Sequence, residues 1–163
     1  LLFREVHPMY SVRQFLDHKG RAVWSVGADS PVYDALKLMA EKHCGALVVL
    51  DEHSRLVGVI SERDYARKVV LQRKASIDTP VSEIMTPDVV TVAESDTLDH
   101  ALVLMTRHNI RHLPVIDGHR TVGVLGIGEL VQQKIARAEQ TIVNQEKEVQ
   151  QLTKYVSGSL AYR

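Results

Sequence analysis

The chain has 163 residues, its 20 Lys and Arg are balanced by 20 Asp and Glu, and aromatic residues make up only 5% of it. This length suffices for a buried core, while the zero net charge and the scarcity of aromatic rings argue against nucleic acid or an anionic membrane as the partner. The single cysteine excludes an internal disulfide, and no apolar stretch approaches the roughly 20 residues that cross a bilayer, so we expect a cytoplasmic protein.

The first predicted element is a short helix in SVRQFLDHKG, with Ser11 as its N-cap and Gly20 at its end. It leads into the predicted strand AVWSV, and we treat residues 1–20 as an N-terminal lead-in segment. Cys44, in the apolar run HCGALVVL, is predicted to pack in the core.

An internal repeat organises the following chain. SPVYDALKLMAEKHCGALVVLD, from residue 30, aligns with DTLDHALVLMTRHNIRHLPVID, from residue 96, without a gap. Each copy begins with the apolar spacing of an amphipathic helix, for which Ser30 and Asp96 are the predicted N-caps. An apolar strand, a polar turn, a second strand and a closing helix follow, and the second hairpin is one residue shorter than the first.

The second copy is preceded by its own lead-in segment, PVSEIMT, and by the predicted strand VVTV. The predicted boundaries are 21–75 for the first repeat, 81–135 for the second repeat and 136–163 for a C-terminal helical extension and tail. The fold class is therefore α/β (α+β), with two small units that bury their sheet faces against each other about a pseudo-twofold axis.

These repeated segments resemble a known family. SVGADSPVYDALKLM, GALVVLDEHSRLVGVISERD, EIMTPDVVTV and RHLPVIDGHRTVGVL, in this order, are similar to the tandem CBS domain pair, also called a Bateman module and named after cystathionine β-synthase. The resemblance implies a regulatory domain without catalysis, which commonly binds adenine nucleotides in the cleft between the repeats.

One repeated motif differs between the copies at its most polar positions. GVISERDYARKVV is echoed by GVLGIGELVQQKI, so that Ser61 and Asp64 become Gly126 and Glu129. A carboxylate can accept both ribose hydroxyls, and a helix N-terminus with a hydroxyl suits phosphate; the resemblance assigns these roles to Asp64 and Ser61. The same Ser-x-x-acid pattern is also a capping box that needs no ligand, and both roles can coexist.

The resemblance also implies that each cleft site combines the acid of one repeat with the basic positions and lead-in strand of the other. Arg111 and His112 would then face Asp64, although Arg111 pairing with a surface acid is the alternative. The complete predicted nucleotide-binding set is Ser61, Arg63, Asp64, Val89, Val90, Thr91, Arg111, His112 and Pro114. A weaker second site is expected to contain Val26, Ser30 and Glu129, together with Gly45, Ala46 and Gly126.

The sequence offers little support for metal binding or catalysis. His108 and His112 have the spacing of two ligands on one helix face, but the helix is expected to end near Asn109 and His112 to open a strand. There is no nucleophile elbow, P-loop or Rossmann glycine motif. We therefore predict no metal, no catalytic cofactor and no enzymatic activity.

The C-terminal segment is predicted to form one long helix from about Glu129 to Val156. Ile135, Ile142 and Val149 recur every seven residues before Val156, which is a short heptad pattern. It indicates either an intermolecular seam in a homodimer or an amphipathic helix that folds back on its own domain.

The sequence thus predicts a sensor module that binds AMP, ATP or NAD and shifts the arrangement of its repeats or of a homodimer, with an unidentified effector protein as a further partner. Adenosine is common to all the candidate ligands, and Arg111 with His112 favours a ligand that carries phosphate over S-adenosylmethionine. The alternative is an assembly module that binds no ligand and acts through the C-terminal helix.

Overall fold

The structure is a computed structural model that describes residues 10–160, with side chains described to residue 157. The predicted lead-in segment and C-terminal tail therefore both extend outside the described residues. A π-helical stretch, Ala66–Val70, continues the short helix Glu62–Tyr65. The elements in chain order are α1 (Val12–Lys19), β1 (Ser25–Gly27), α2 (Val32–Lys42), β2 (Ala46–Leu50), β3 (Leu56–Ser61), α3 (Glu62–Tyr65), α4 (Val81–Ile84), β4 (Val92–Ala93), α5 (Leu98–His108), β5 (His112–Asp117), β6 (Arg120–Gly126) and α6 (Ile127–Leu160).

The chain divides into two units, Leu1–Gly126 and Ile127–Arg163. The first unit contains two three-stranded sheets, ordered β1-β2-β3 and β4-β5-β6, and in each the first pair is parallel and the second antiparallel. The ladder shifts register at Val49/Leu50 in one sheet and at the equivalent Val115/Ile116 in the other. The predicted fold class, two related repeats followed by a long C-terminal helix, is confirmed.

The second unit consists of α6, which has 34 residues and is therefore about 51 Å long at the usual rise per residue. The predicted long helix is confirmed and extends slightly beyond both predicted ends. Of the helices in residues 10–160, none is both long enough and apolar enough to span a membrane.

The predicted N-caps of α2 and α5 are wrong by one residue, since Pro31 and Thr97 occupy these positions. Thr97 Oγ1 accepts a hydrogen bond from His100 N at 3.1 Å, whereas Asp96 Oδ2 accepts from Ala93 N at 2.8 Å and closes the preceding turn. The carboxylate of Asp96 therefore stabilises the turn before α5, and the hydroxyl of Thr97 caps the helix.

The predicted end of α5 and both predicted ends of α1 agree with the structure. Both α2 and α5 end in left-handed residues, His43 and Asn109, each with φ of 52°. The predicted end of α5 near Asn109 is therefore confirmed. Helix α1 begins at the predicted cap Ser11, within a capping box formed with Gln14, and ends at Gly20.

The predicted strands before each helix are shorter than expected. β1 covers only the end of AVWSV, and β4 begins at Val92, so Val89, Val90 and Thr91 are not in a strand. Val89 N donates to Pro87 O at 3.1 Å, which turns the chain just before this segment. The chain therefore bends at Asp88, just before the segment for which an extended strand was predicted.

Each lead-in segment forms backbone hydrogen bonds with the opposite repeat. Val12 N of α1 donates to Asp96 O at 2.8 Å, in the second repeat. Val81 N of α4 donates to Ser30 O at 2.9 Å, in the first repeat. The exchange is reciprocal, so each lead-in segment links the two repeats.

The core of the first repeat shows the same exchange. The α4 residues Val81 and Ile84 are fully buried within the cluster that contains Val49 and Ile60 of its sheet. Cys44 is half-buried and packs against this cluster, and desolvation raises the pKa of its thiol.

Candidate functional site

The junction between β3 and α3 is stabilised by a capping box. Ser61 has extended backbone angles, and its Oγ accepts a hydrogen bond from Asp64 N at 3.3 Å. In return Asp64 Oδ2 accepts from Ser61 N at 2.9 Å and from Ser61 Oγ at 2.7 Å. The motif thus performs the structural role that its sequence allowed, and Asp64 is held in one orientation.

The second oxygen of Asp64 is also engaged. Asp64 Oδ1 lies 2.8 Å from Lys68 Nζ, one turn further along, and only 15% of the Asp64 side chain is exposed. Lys68 Nζ also donates to Ile84 O at 2.7 Å, so this lysine links the π-helical stretch after α3 to α4. A carboxylate oxygen has two lone pairs, and a ligand hydroxyl at Asp64 would share the carboxylate with these groups.

A cavity of about 310 Å³ opens beside this helix start. Its walls come from the N-terminus of α3, the segment before β4 and the turn between α5 and β5. The lining residues are Gly45, Val59, Ser61, Glu62, Arg63, Asp64, Arg67, Thr86, Asp88, Val89, Val90, Asn109, Ile110, Arg111 and His112.

Direct contacts join the two repeats at this cavity. Arg63 Nη1 donates to Asn109 O at 3.3 Å, across from the first repeat to the end of α5. A side-chain carbon at Gly45 would lie 3.5 Å from Glu62 Oε2 and 3.6 Å from His112 Cε1. Gly45 therefore lies between Glu62 of the first repeat and His112 of the second, close to both side chains.

Arg111 is the exposed cation of this wall. Within residues 10–157 it forms no salt bridge, so the alternative in which Arg111 pairs with a surface acid is not seen there. A guanidinium in this position can offer its planar set of N–H donors to phosphate oxygens.

Charges of both signs surround the cavity. Arg63, Arg67 and Arg111 supply three cations, and three carboxylates also reach the lining. Asp64 already has Lys68 as a partner, which offsets its charge. The chemistry therefore suits a ligand that presents both hydroxyl donors and phosphate oxygens.

The cavity brings together seven of the nine predicted nucleotide-binding residues, and two lie elsewhere. Thr91 lines an adjoining open groove, which shares Asp88, Val89 and Val90 with the cavity. Pro114 lies in β5, where it pairs with Val124, and it is buried. We therefore omit Thr91 and Pro114 from the cavity lining.

The residues of the predicted weaker site are placed separately. Val26 lies in β1 and Ser30 precedes α2, both half-buried, while Glu129 lies exposed in the first turn of α6. Gly45, which the sequence assigned to this site, lines the first cavity instead. The reason is that β2 pairs Ala46 with Ser61, so the residue before β2 lies beside the start of α3.

Several lining residues were missed from the sequence. Arg67 follows Arg63 by four residues, and this helical spacing could have indicated a shared face. Thr86 and Asp88 gave no such signal. Val59 and Thr86 exchange two backbone hydrogen bonds, at 3.0 and 2.9 Å, and this long-range pairing brings their segment to the cavity.

The two histidines with metal-like spacing lie in different elements. His108 is the last residue of α5 and His112 the first of β5, as predicted. No group of three or more His, Cys, Asp or Glu side chains that could hold a metal ion occurs among the residues described.

Comparison with known proteins identifies relatives of both halves of the first unit. The family model for the CBS domain matches the chain twice, at residues 19–71 and 81–134. The Arabidopsis thaliana CBS domain-containing protein CBSX3, described as mitochondrial, is 37% identical over 144 residues, or 85% of this chain. The chain spans 66% of the length of that protein, and about a fifth of longer Arabidopsis relatives.

Solved structures share the fold. A protein with CBS domains from Burkholderia ambifaria MC40-6 is 48% identical, with a TM-score of 0.74 over 77% of this chain and 94% of its own. The CBS domain pair of protein MJ0100, solved in complex with 5′-methylthioadenosine and S-adenosyl-L-methionine, is 27% identical, with a TM-score of 0.71 over 80% of this chain and 99% of its own.

Proposed function

Because this chain belongs to the CBS domain family and carries the domain as a tandem pair, we propose that it is a regulatory module that binds an adenine nucleotide in the cavity at α3. The proposed ligand is AMP, ATP or NAD, and it acts as a regulator and not as a catalytic cofactor. No residue is assigned a catalytic role.

The observation that carries this proposal is the composition of one cavity. Ser61, Arg63 and Asp64 of the first repeat line it together with Arg111 and His112 of the second. Asp64 Oδ1, which keeps one lone pair besides its contact with Lys68, can accept a ribose hydroxyl. The N-terminus of α3 and the arginines can hold phosphate. Val89 and Val90 supply an apolar surface beside which the base can pack.

The relative solved with S-adenosyl-L-methionine and 5′-methylthioadenosine supports an adenosine ligand for this family member as well. The three arginines at the cavity are the reason to favour a ligand with phosphate here. We therefore expect nucleotides to bind more tightly than either of these sulfur-containing adenosine compounds.

The regulatory mechanism that we propose is a population shift. A ligand that contacts both repeats stabilises the arrangement in which Arg63 and Asn109 approach each other, because it binds that arrangement more tightly. The output is a changed homodimer or the binding of an effector protein. We place this activity in the cytoplasm, and we propose no nucleic-acid or membrane partner.

Exchange of Arg111 for Ala tests the proposal with little risk to the fold, since this side chain is exposed. We expect affinity for ATP, measured by calorimetric titration, to fall about tenfold or more, because a hydrogen bond to a charged group contributes about 1.5–3 kcal/mol. Arg107→Ala is the matched control: it removes the same charge from an exposed position in the last turn of α5, outside the cavity lining.

Titrations with AMP, NAD, S-adenosylmethionine and 5′-methylthioadenosine would complete the comparison. Equal loss of affinity in Arg107→Ala would contradict a specific phosphate contact at Arg111. If ligand-free protein binds none of these compounds, an assembly module becomes the better account. The apolar side chains exposed along α6 favour that second function.

A further inference from the structure

A row of apolar side chains lies exposed along α6 beyond the matched CBS domains. The family match ends at residue 134, and the row follows immediately after it. Ile135 is 54% exposed, Ile142 55%, Val149 61% and Val156 56%. The CBS fold does not account for these residues, because they follow both domains.

The row has the seven-residue spacing of a coiled coil. If Ile135 is position a of the heptad, every a position from Ile135 onward is β-branched, and every f position on the opposite face is polar. The a positions are Ile135, Ile142, Val149 and Val156. The d positions are Val131, Ala138, Gln145 and Leu152. The f positions are Gln133, Gln140, Lys147 and Lys154.

The residue types also indicate the orientation of the partner. In parallel two-stranded coiled coils, β-branched residues at position a combine with Leu at position d, as Val149 and Leu152 do here. In a parallel, in-register pair, Lys134 at position g lies across from the partner's Glu139 at position e, so opposite charges meet on both sides of the seam.

We propose that α6 forms a parallel, in-register, two-stranded coiled coil with α6 of a second copy of this chain. The apolar side chains at positions a and d from Val131 to Val156 are removed from water along this seam. The inference identifies the interface of the proposed homodimer and rests on that part of the proposed function alone, since nucleotide binding uses other residues.

Disulfide crosslinking tests the interface directly, in protein whose native cysteine has been replaced by Cys44→Ala. Ala138→Cys places a thiol at position d, where the two chains of a parallel, in-register pair lie close enough for a disulfide. Gln140→Cys, at position f, is the control on the outer face. We expect rapid covalent dimer for Ala138→Cys and little for Gln140→Cys under mild oxidation.

Sedimentation equilibrium of Ile142→Glu provides an independent measurement. A charge at this core position should raise the dimer dissociation constant at least tenfold, whereas Gln140→Glu should leave it unchanged. Far-UV circular dichroism should show that both variants keep the fold, because Ile142 is exposed in the single chain.

The outcomes separate the proposals. A monomeric parent protein would overturn both the homodimer and the coiled coil. A dimer in which Ala138→Cys crosslinks no better than Gln140→Cys would overturn the coiled coil but leave the homodimer. ATP titration of the same Ile142→Glu protein reports on the nucleotide proposal separately, and we expect its binding to be retained.

Discussion

At the scale of single residues, Ser61 combines two tasks. Its hydroxyl accepts a hydrogen bond from Asp64 N and donates one to Asp64 Oδ2, and these bonds cap the start of α3. The same side chain lines the cavity. A substitution of Ser61 therefore removes a ligand contact and a helix cap together, and the two effects must be measured separately. A cap elsewhere in the fold provides the comparison.

Ser61→Ala and Thr97→Ala form a matched pair for this purpose. Thr97 caps α5 through His100 N and does not line the cavity. Each substitution should lower the free energy of unfolding in urea by about 0.5–2 kcal/mol, the usual contribution of a cap. Only Ser61→Ala should also weaken ATP binding, by about tenfold.

If Thr97→Ala weakened ATP binding as much as Ser61→Ala, the effect would be one of overall stability and not of a contact at Ser61. If Ser61→Ala left the affinity unchanged, its hydroxyl would serve only the capping box.

The sequence predicted those cavity residues that lie in recognisable sequence motifs. Asp64 and Arg63 follow from a helix start, and Arg111 follows from the difference between the repeats. Asp88 was missed because it belongs to no local pattern, and it reaches the cavity through pairing between distant segments. Pro114 was misplaced because this part of β5 is buried on both faces, as the buried neighbours Leu113 and Val115 show.

At the scale of elements, the exchange of lead-in segments determines how the repeats join. Gly123 of the second sheet lies against Leu16 of α1, and a side-chain carbon at Gly123 would lie 2.7 Å from Leu16 Cδ1. Gly58 of the first sheet approaches Met85, which follows α4, even more closely. A side-chain carbon at either glycine would therefore force its neighbour to shift.

Gly123→Ala should lower the free energy of unfolding by about 1–3 kcal/mol, since overpacking of a core has about this cost. Leu16 is fully buried and has little room to move away. Urea unfolding followed by circular dichroism provides the measurement. Gly128→Ala is the control, because nothing lies within 4 Å of the added carbon and alanine favours the helix α6. Equal effects of the two changes would show that this contact is unimportant.

The sequence predicted the elements of each repeat but not their exchange. Helical spacing, caps and hairpin turns are local, so α1, α6 and the end of α5 could be recognised directly. The backbone bonds from Val12 to Asp96 and from Val81 to Ser30 connect residues far apart in the chain, and no local pattern encodes them. The bend before β4 was missed for a related reason, since VVTV has strand propensity but few partners.

At the scale of the whole chain, duplication and divergence explain the arrangement. Two similar repeats share sheet order, ladder irregularity and helix ends, whereas their polar residues differ. Ser61 and Asp64 remain in one copy, while Arg111 and His112 remain in the other, and one cavity gathers all four. The weaker site with Val26, Ser30 and Glu129 stays a prediction.

Hydrogen–deuterium exchange of the wild-type chain with and without ATP tests the central claim most directly, because it locates the ligand without altering a residue. We predict that ATP slows exchange in residues 61–67 of the first repeat and in residues 109–112 of the second. The two segments should become protected over the same range of ATP concentration. Saturable ATP binding that protects neither segment, or protects only one, would contradict a ligand held between the two repeats.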